Sequence, residues 1–106
     1  MSVPEIDVQT LARERQAGRR VFDVREPDEY DEVRVPDAVL VPLATVPEEI
    51  EQFEGTDTIY IVCRSGSRSA RAAAFLRANG IDAVNVKGGI LAWIAADLPT
   101  ESGPST

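Results

Sequence analysis

Two periods of apolar residues alternate along this chain. Residues 57–63, DTIYIVC, are β-branched and aromatic almost without interruption, the pattern of a strand buried on both faces. Three shorter runs read the same way: RRVFDV at 19–24, AVLVPL at 38–43, where Pro42 limits the strand, and DAVNV at 82–86. Between them lie segments of helical character. Asp7 is placed to cap a helix through VQTLARERQAG, with Gly18 as its stop. EPDEYDEV has Pro27 where a first helical turn accepts it. VPEEIEQF predicts a short helix whose early acidic residues suit the helix dipole. SARAAAFLRANG, at 69–80, is the strongest helical segment, rich in alanine, with Ser67 or Ser69 available as a cap and Gly80 at its end. KGG at 87–89 reads as a turn, and ILAWIAADL as a last helix.

Strands alternating with helices over short loops predict an α/β fold with a mostly parallel sheet and helices on both faces. Crossovers are then expected to be right-handed. The 106 residues match one domain, assigned to 1–98, and no internal repeat is visible. The tail PTESGPST, at 99–106, is expected from its composition to be disordered.

Composition narrows the chemistry. The formal net charge of -7 argues against nucleic acid as a partner, since that binding rests on basic patches. No apolar run reaches the ~20 residues of a membrane span, and the N-terminus lacks the pattern of a secretory signal, so a cytoplasmic location is expected. A single cysteine excludes an internal disulfide and suits a reducing compartment. The chain has no histidine, which removes Ser-His-Asp and Cys-His catalysis and histidine-bound metal. Neither a metal site nor a cofactor is expected.

What remains is Cys63, at the carboxyl end of the clearest strand, where open α/β sheets place their sites. The loop CRSGSR leads from it straight into the alanine-rich helix. Gly66 permits a backbone conformation that other residues resist, and the small Ser65, Ser67 and Ser69 let successive N–H groups converge. Such a nest at a helix N-terminus binds anions and stabilises a thiolate without an imidazole. Arg64, Arg68 and Arg71 supply local positive charge, with no acid between residues 63 and 71. A cysteine at a strand end is also a common buried hydrophobe; the conjunction of strand end, small-residue loop, charge and helix start favours the chemical reading.

Three stretches, DVREPDEY at 23–30, CRSGSRSA at 63–70 and VKGGILAW at 86–93, resemble the single-domain rhodanese-like sulfurtransferases, in that family's order and spacing. The resemblance implies a three-layer α/β/α fold with a five-stranded sheet, strands in the order 3-2-4-5-1. It implies that Cys63 accepts sulfane sulfur from a small anionic donor such as thiosulfate, holds it as a persulfide on the loop amides, and passes it to an external thiol, cyanide or protein acceptor. Arg25 matches a family arginine near the site that contacts an anionic donor. The resemblance makes Asp23 and Glu26 structural supports of the site, and Gly88, Gly89 and Trp93 a largely structural motif. Arg68 has two roles open to it, substrate contact or a tie to an acidic neighbour. Where the family usually has Gly-His-Ile-x-Gly-Ala, this chain has Val33-Arg34-Val35-Pro36-Asp37-Ala38, so the turn at Asp37 and the role of Arg34 stand apart from the family pattern.

Two rival readings have different consequences. A cysteine phosphatase or arsenate reductase also uses cysteine and arginine in an anion-binding loop, but with one more residue between them than the four found here. A non-catalytic partner-binding module would keep the loop without using Cys63.

Overall fold

In the computed structural model, which describes residues 3–104, the chain forms a five-stranded parallel sheet covered on both faces. The elements run β1 (Glu5–Ile6), α1 (Val8–Gln16), β2 (Val21–Asp23), α2 (Pro27–Glu32), β3 (Val39–Leu40), β4 (Ile59–Val62), α3 (Ser67–Ala78), β5 (Ala83–Val86) and α4 (Gly89–Ala95). The spatial order is β1-β5-β4-β2-β3, the expected order read from the other edge. β4 is central and every residue in it is buried, as its unbroken apolar run requires.

Alternation along β4 divides the core. Ile59, Ile61 and Cys63 face α3, where Ala72, Ala73 and Leu76 meet them together with Phe22 and Phe53. Tyr60 and Val62 face the other way, onto Val8, Leu11, Ile90 and Trp93. The alanines of α3 let that helix approach the sheet closely, and the strand beneath it is β5 as well as β4.

Local signals account for most element ends. The Asp7 side chain accepts the Thr10 N–H at 2.8 Å, capping α1, and Gly18 follows the helix at φ 92°. Pro27 opens α2. Two expectations change. Residues 46–53 form turns and a short 3-10 helix at Ile50–Phe53 instead of an α-helix; one apolar side is pulled onto the core through the buried Phe53. α3 begins at Ser67, and neither Ser67 nor Ser69 caps it; Gly66 occupies the cap position in the left-handed region. β1 pairs with β5 at the sheet edge, although its two residues carry no strand period of their own.

The described part of the tail, residues 99–104, contacts the domain. The Arg34 and Glu101 backbones exchange N–H···O bonds of 2.9 and 3.0 Å, the Gly103 N–H reaches the Asp31 carbonyl, and the buried Trp93 indole donates to the Pro99 carbonyl at 2.7 Å. Ser105 and Thr106 lie outside the described residues. No helix among the described residues is long and apolar enough to cross a membrane.

Candidate active site

Asp23 pairs with Val62, so β2 and β4 end level and deliver their following residues to one place. Beyond β4 that residue is Cys63; beyond β2 the chain passes through Val24 to Arg25.

Cys63 is fully covered, with 0% exposure. Its Sγ receives the Gly66 N–H at 3.1 Å and the Ser69 hydroxyl at 3.2 Å. Gly66 adopts φ 110°, and that left-handed turn is what aims its N–H back at the sulfur. Burial pushes the Cys63 thiol up and is the largest single influence. The Ser69 hydroxyl and the N–H groups of Ser69, Gly66 and Ser65 together outweigh it, and the thiol comes to lie below its ordinary value. Ser69 contributes to this cradle through its side chain as well as its backbone.

The KGG turn locks this loop from below. The Ile90 N–H donates to the Cys63 carbonyl at 2.8 Å and the Leu91 N–H to the Arg64 carbonyl at 3.1 Å. These are orphan donors of the first turn of α4, satisfied by the loop itself. Gly89, at φ 57°, makes the approach possible; a Cβ there would lie 2.3 Å from the Cys63 carbonyl oxygen and 2.6 Å from that of Arg64. Gly88 is equally constrained, since its Cβ would meet the Ala92 Cβ at 2.6 Å. Gly89→Ala is expected to destabilise the domain by about 2–5 kcal/mol, because strain and overlap with immovable backbone add together. Thermal unfolding of the variant measures this; an unchanged midpoint would contradict the packing described.

The resemblance gives Arg25 contact with an anionic donor; in the structure the side chain turns inward. Its side chain is 3% exposed and its guanidinium grips Asp23 at 2.8 Å, while further N–H groups reach the carbonyls of Val33 (2.7 Å) and Glu29 (3.3 Å). The Asp23 carboxylate, itself 0% exposed, also takes the Arg25 backbone N–H at 2.9 Å. A guanidinium so committed is a buried brace running from β2 to the C-terminal end of α2, and an incoming anion would have to displace its carboxylate.

Arg68 ties to an acid. It forms a two-pronged bond with Glu29, at 2.8 and 2.9 Å, which links the first turn of α3 to α2. The Arg68 guanidinium is the main influence holding the Glu29 carboxyl down at about 2. Glu29 also takes the Glu26 N–H at 3.0 Å, so Glu26 contributes by starting α2 where Glu29 can reach. The side chains of Arg64 and Arg71 form no ion pair or hydrogen bond with a described residue. Trp93 is 1% exposed and belongs to the core. Among the described residues no group of three or more cysteine, aspartate or glutamate side chains is arranged to hold a metal ion.

The profile of the rhodanese-like domain matches residues 7–96. The chain belongs to this family. The putative sulfurtransferase YtwF of Bacillus subtilis is 34% identical over 101 residues, covering 93% of this chain and 98% of the relative. A sulfurtransferase of Allochromatium vinosum is 35% identical, covering 92% and 94% respectively. The putative sulfur carrier protein YrkF of Bacillus subtilis, 34% identical, matches over 87% of this chain but only 51% of its own length. Among solved structures, a rhodanese-related protein from Thermoplasma volcanium superposes with a TM-score of 0.86 at 31% identity, covering 92% of this chain and 97% of its own. Sulfur transfer is the function that these family-level relationships support.

Two departures of this rhodanese-like domain from its family pattern acquire physical roles. Asp37, where the family usually has glycine, adopts a positive φ of 68°, with the carboxylate exposed and bonded to Arg15 at 3.2 Å. Arg34 stacks over the Tyr30 ring at 4.7 Å and donates to the carbonyls of Tyr30 (3.1 Å) and Gly103 (2.8 Å), fastening the C-terminal segment. Two residues beside the cysteine loop, Glu29 and Asn85, carry little signal in the sequence. Glu29 lies in an acidic helix where any carboxylate would look alike. Asn85 sits in an apolar strand, and a lone polar residue among DAVNV was the available clue.

A groove of about 540 Å³ runs beside the cysteine loop, walled by Leu43, Val46, Pro47 and Phe75 with Arg68 and Arg71 at its edge. Cys63 does not line it.

Proposed function

We propose that this rhodanese-like domain is a sulfurtransferase that carries sulfane sulfur on Cys63, from thiosulfate or a similar small anionic donor to an external acceptor. The observation that carries the reading is the convergence of the Gly66 N–H and Ser69 hydroxyl on Sγ. Donors aimed at sulfur favour the thiolate, which is the nucleophile.

In the first half-reaction the thiolate attacks the outer sulfur of thiosulfate. A new S–S bond forms, the S–S bond of thiosulfate breaks, and sulfite leaves with the electron pair. The persulfide anion inherits the loop donors, which were placed for a charged sulfur before the reaction began. In the second half-reaction an acceptor attacks the terminal sulfur; with cyanide, thiocyanate departs and the Cys63 thiolate is restored. No second cysteine exists to resolve the persulfide internally, so the acceptor must come from outside. The sulfur carrier named among the relatives supports a protein acceptor as one possibility in this role. Because Cys63 is covered, each half-reaction needs the loop to open enough to admit one sulfur atom.

Intact-mass spectrometry under non-reducing conditions, after incubation with thiosulfate and removal of the excess, tests the reading. The protein is expected to gain one sulfur atom and to lose it on addition of cyanide. An unmodified mass would overturn sulfane-sulfur loading from thiosulfate.

A further inference from the structure

We propose that Asn85 is a positioning residue for the Cys63 cradle: its side-chain amide pins the Gly66 carbonyl to β5 and so aims the Gly66 N–H at the sulfur. This deepens the sulfur-transfer reading and rests on it for its consequence in catalysis, but not for its geometry.

Asn85 is 1% exposed, in a strand whose four residues are all buried. It stands between Ile61 of β4 and Glu5 of β1 in the sheet register. Its Nδ2 donates to the Gly66 carbonyl at 3.1 Å and to Glu5 Oε2 at 2.8 Å. Both partners are acceptors, so the amide has only one sensible orientation; reversed, it would set oxygen against oxygen twice. That orientation leaves Oδ1 buried with no partner. A valine would fill a buried strand position without stranding an acceptor, so the amide carries a folding penalty that the sheet does not require. Such local violations mark functional positions.

The benefit lies on the loop. The Gly66 carbonyl already accepts the Ala70 N–H at 3.2 Å, the first bond of α3, and Asn85 occupies its second lone pair. Gly66 is thereby fastened both to its helix and to the strand beneath. It is also the residue at φ 110° whose N–H points at Sγ, and glycine there has the widest conformational freedom to lose. Glu5 completes the device from the sheet edge by holding the other hydrogen of the same amide. The charged side chains around the loop, Arg68 with Glu29 and Arg25 with Asp23, are bonded to each other and do not bond the Gly66 carbonyl; the Arg68 charge also acts on the Cys63 thiolate.

The test is titration of the Cys63 thiolate by its ultraviolet absorbance, together with the rate of alkylation by iodoacetamide at neutral pH, in Asn85→Leu. The variant matches asparagine in shape and lacks the donor. The expected result is a thiolate midpoint at higher pH and alkylation about three- to tenfold slower, the factor set by one ordinary hydrogen bond. A purely structural role predicts the opposite rate change, since a loosened loop would expose a covered cysteine and speed alkylation. A folded Asn85→Leu protein with the wild-type midpoint, or with faster alkylation at that midpoint, overturns the proposal. Should Asn85→Leu not fold, Glu5→Ala decides: Glu5 is exposed, and releasing the amide from it is expected to shift the midpoint the same way by a smaller amount, while no shift overturns the proposal. Neither readout involves sulfur transfer, so a protein that fails to load sulfur from thiosulfate yet shows the shift separates the two claims.

Discussion

Cys63→Ser is expected to abolish thiocyanate formation from thiosulfate and cyanide while the domain stays folded. The hydroxyl is nearly isosteric and would still accept from Gly66 and Ser69, whose donors sit 3.1 and 3.2 Å from the sulfur. The loss in stability should therefore fall in the common range of about 0.5–3 kcal/mol for a point substitution. Chemistry is affected far more. A serine hydroxyl near neutral pH is protonated, and oxygen does not take up a transferable sulfane sulfur under these conditions. No histidine is present to act as a base for it. With no other thiol in the chain, no alternative residue can carry the sulfur. The measurement is a thiocyanate assay beside a thermal melt of the same preparation. Residual turnover well above that of the free reagents, from a folded Cys63→Ser protein, would show that the sulfur does not pass through Cys63.

Arg25→Ala is expected to have the largest effect on folding, a loss of about 3–5 kcal/mol. The Asp23 carboxylate is fully buried, and its main partners are the Arg25 guanidinium and backbone N–H. Removing the guanidinium strands a charge in the interior and frees the Val33 and Glu29 carbonyls that it also satisfied. Small domains hold only about 5–15 kcal/mol in reserve, so the unfolding midpoint should fall by at least about 12 °C. Removing both partners, as in Asp23→Leu/Arg25→Met, should recover part of the loss, because no unpaired charge is then left behind. The experiment also separates two roles for the arginine. An anion-binding residue would lose use of anionic donors with little change in stability. An Arg25→Ala protein that melts like the wild type but no longer accepts thiosulfate would return Arg25 to the donor site.

Arg25 shows where a reading of the chain alone stops. Its place beside the cysteine followed from the strand order, since β2 and β4 are neighbours whose ends are level. Its direction did not follow. Whether a guanidinium meets solvent or turns inward to a carboxylate two residues back depends on whether that carboxylate is buried, and burial belongs to the folded state. Arg68 was undecided for the same reason, and Glu29, thirty-nine positions away in sequence, decided it. Asn85 was invisible as a site residue because its partners, Gly66 and Glu5, come from a loop and an edge strand with no pattern linking them to DAVNV.

The edge strand and the tail mark a similar boundary. Two residues, Glu5 and Ile6, are too few to express a period, and they become a strand because β5 offers them a ladder. Composition marks residues 99–106 as polar and irregular; within the described residues 99–104, Arg34, Asp31 and Trp93 bond the backbone groups of Pro99, Glu101 and Gly103.

Sequence by itself determined the periodic elements, the parallel α/β architecture, and the cysteine loop with its glycine and small side chains. Each of these depends on residues near one another in the chain: apolar spacing, helix ends, and the freedom of Gly66. Tertiary structure alone decided which donors reach the sulfur, that Ser69 serves Cys63 instead of capping α3, and that Arg25 and Arg68 turn to carboxylates. Those outcomes rest on distances between groups far apart in sequence and on which charges lose their water, and both quantities come into being only when the sheet closes over its core.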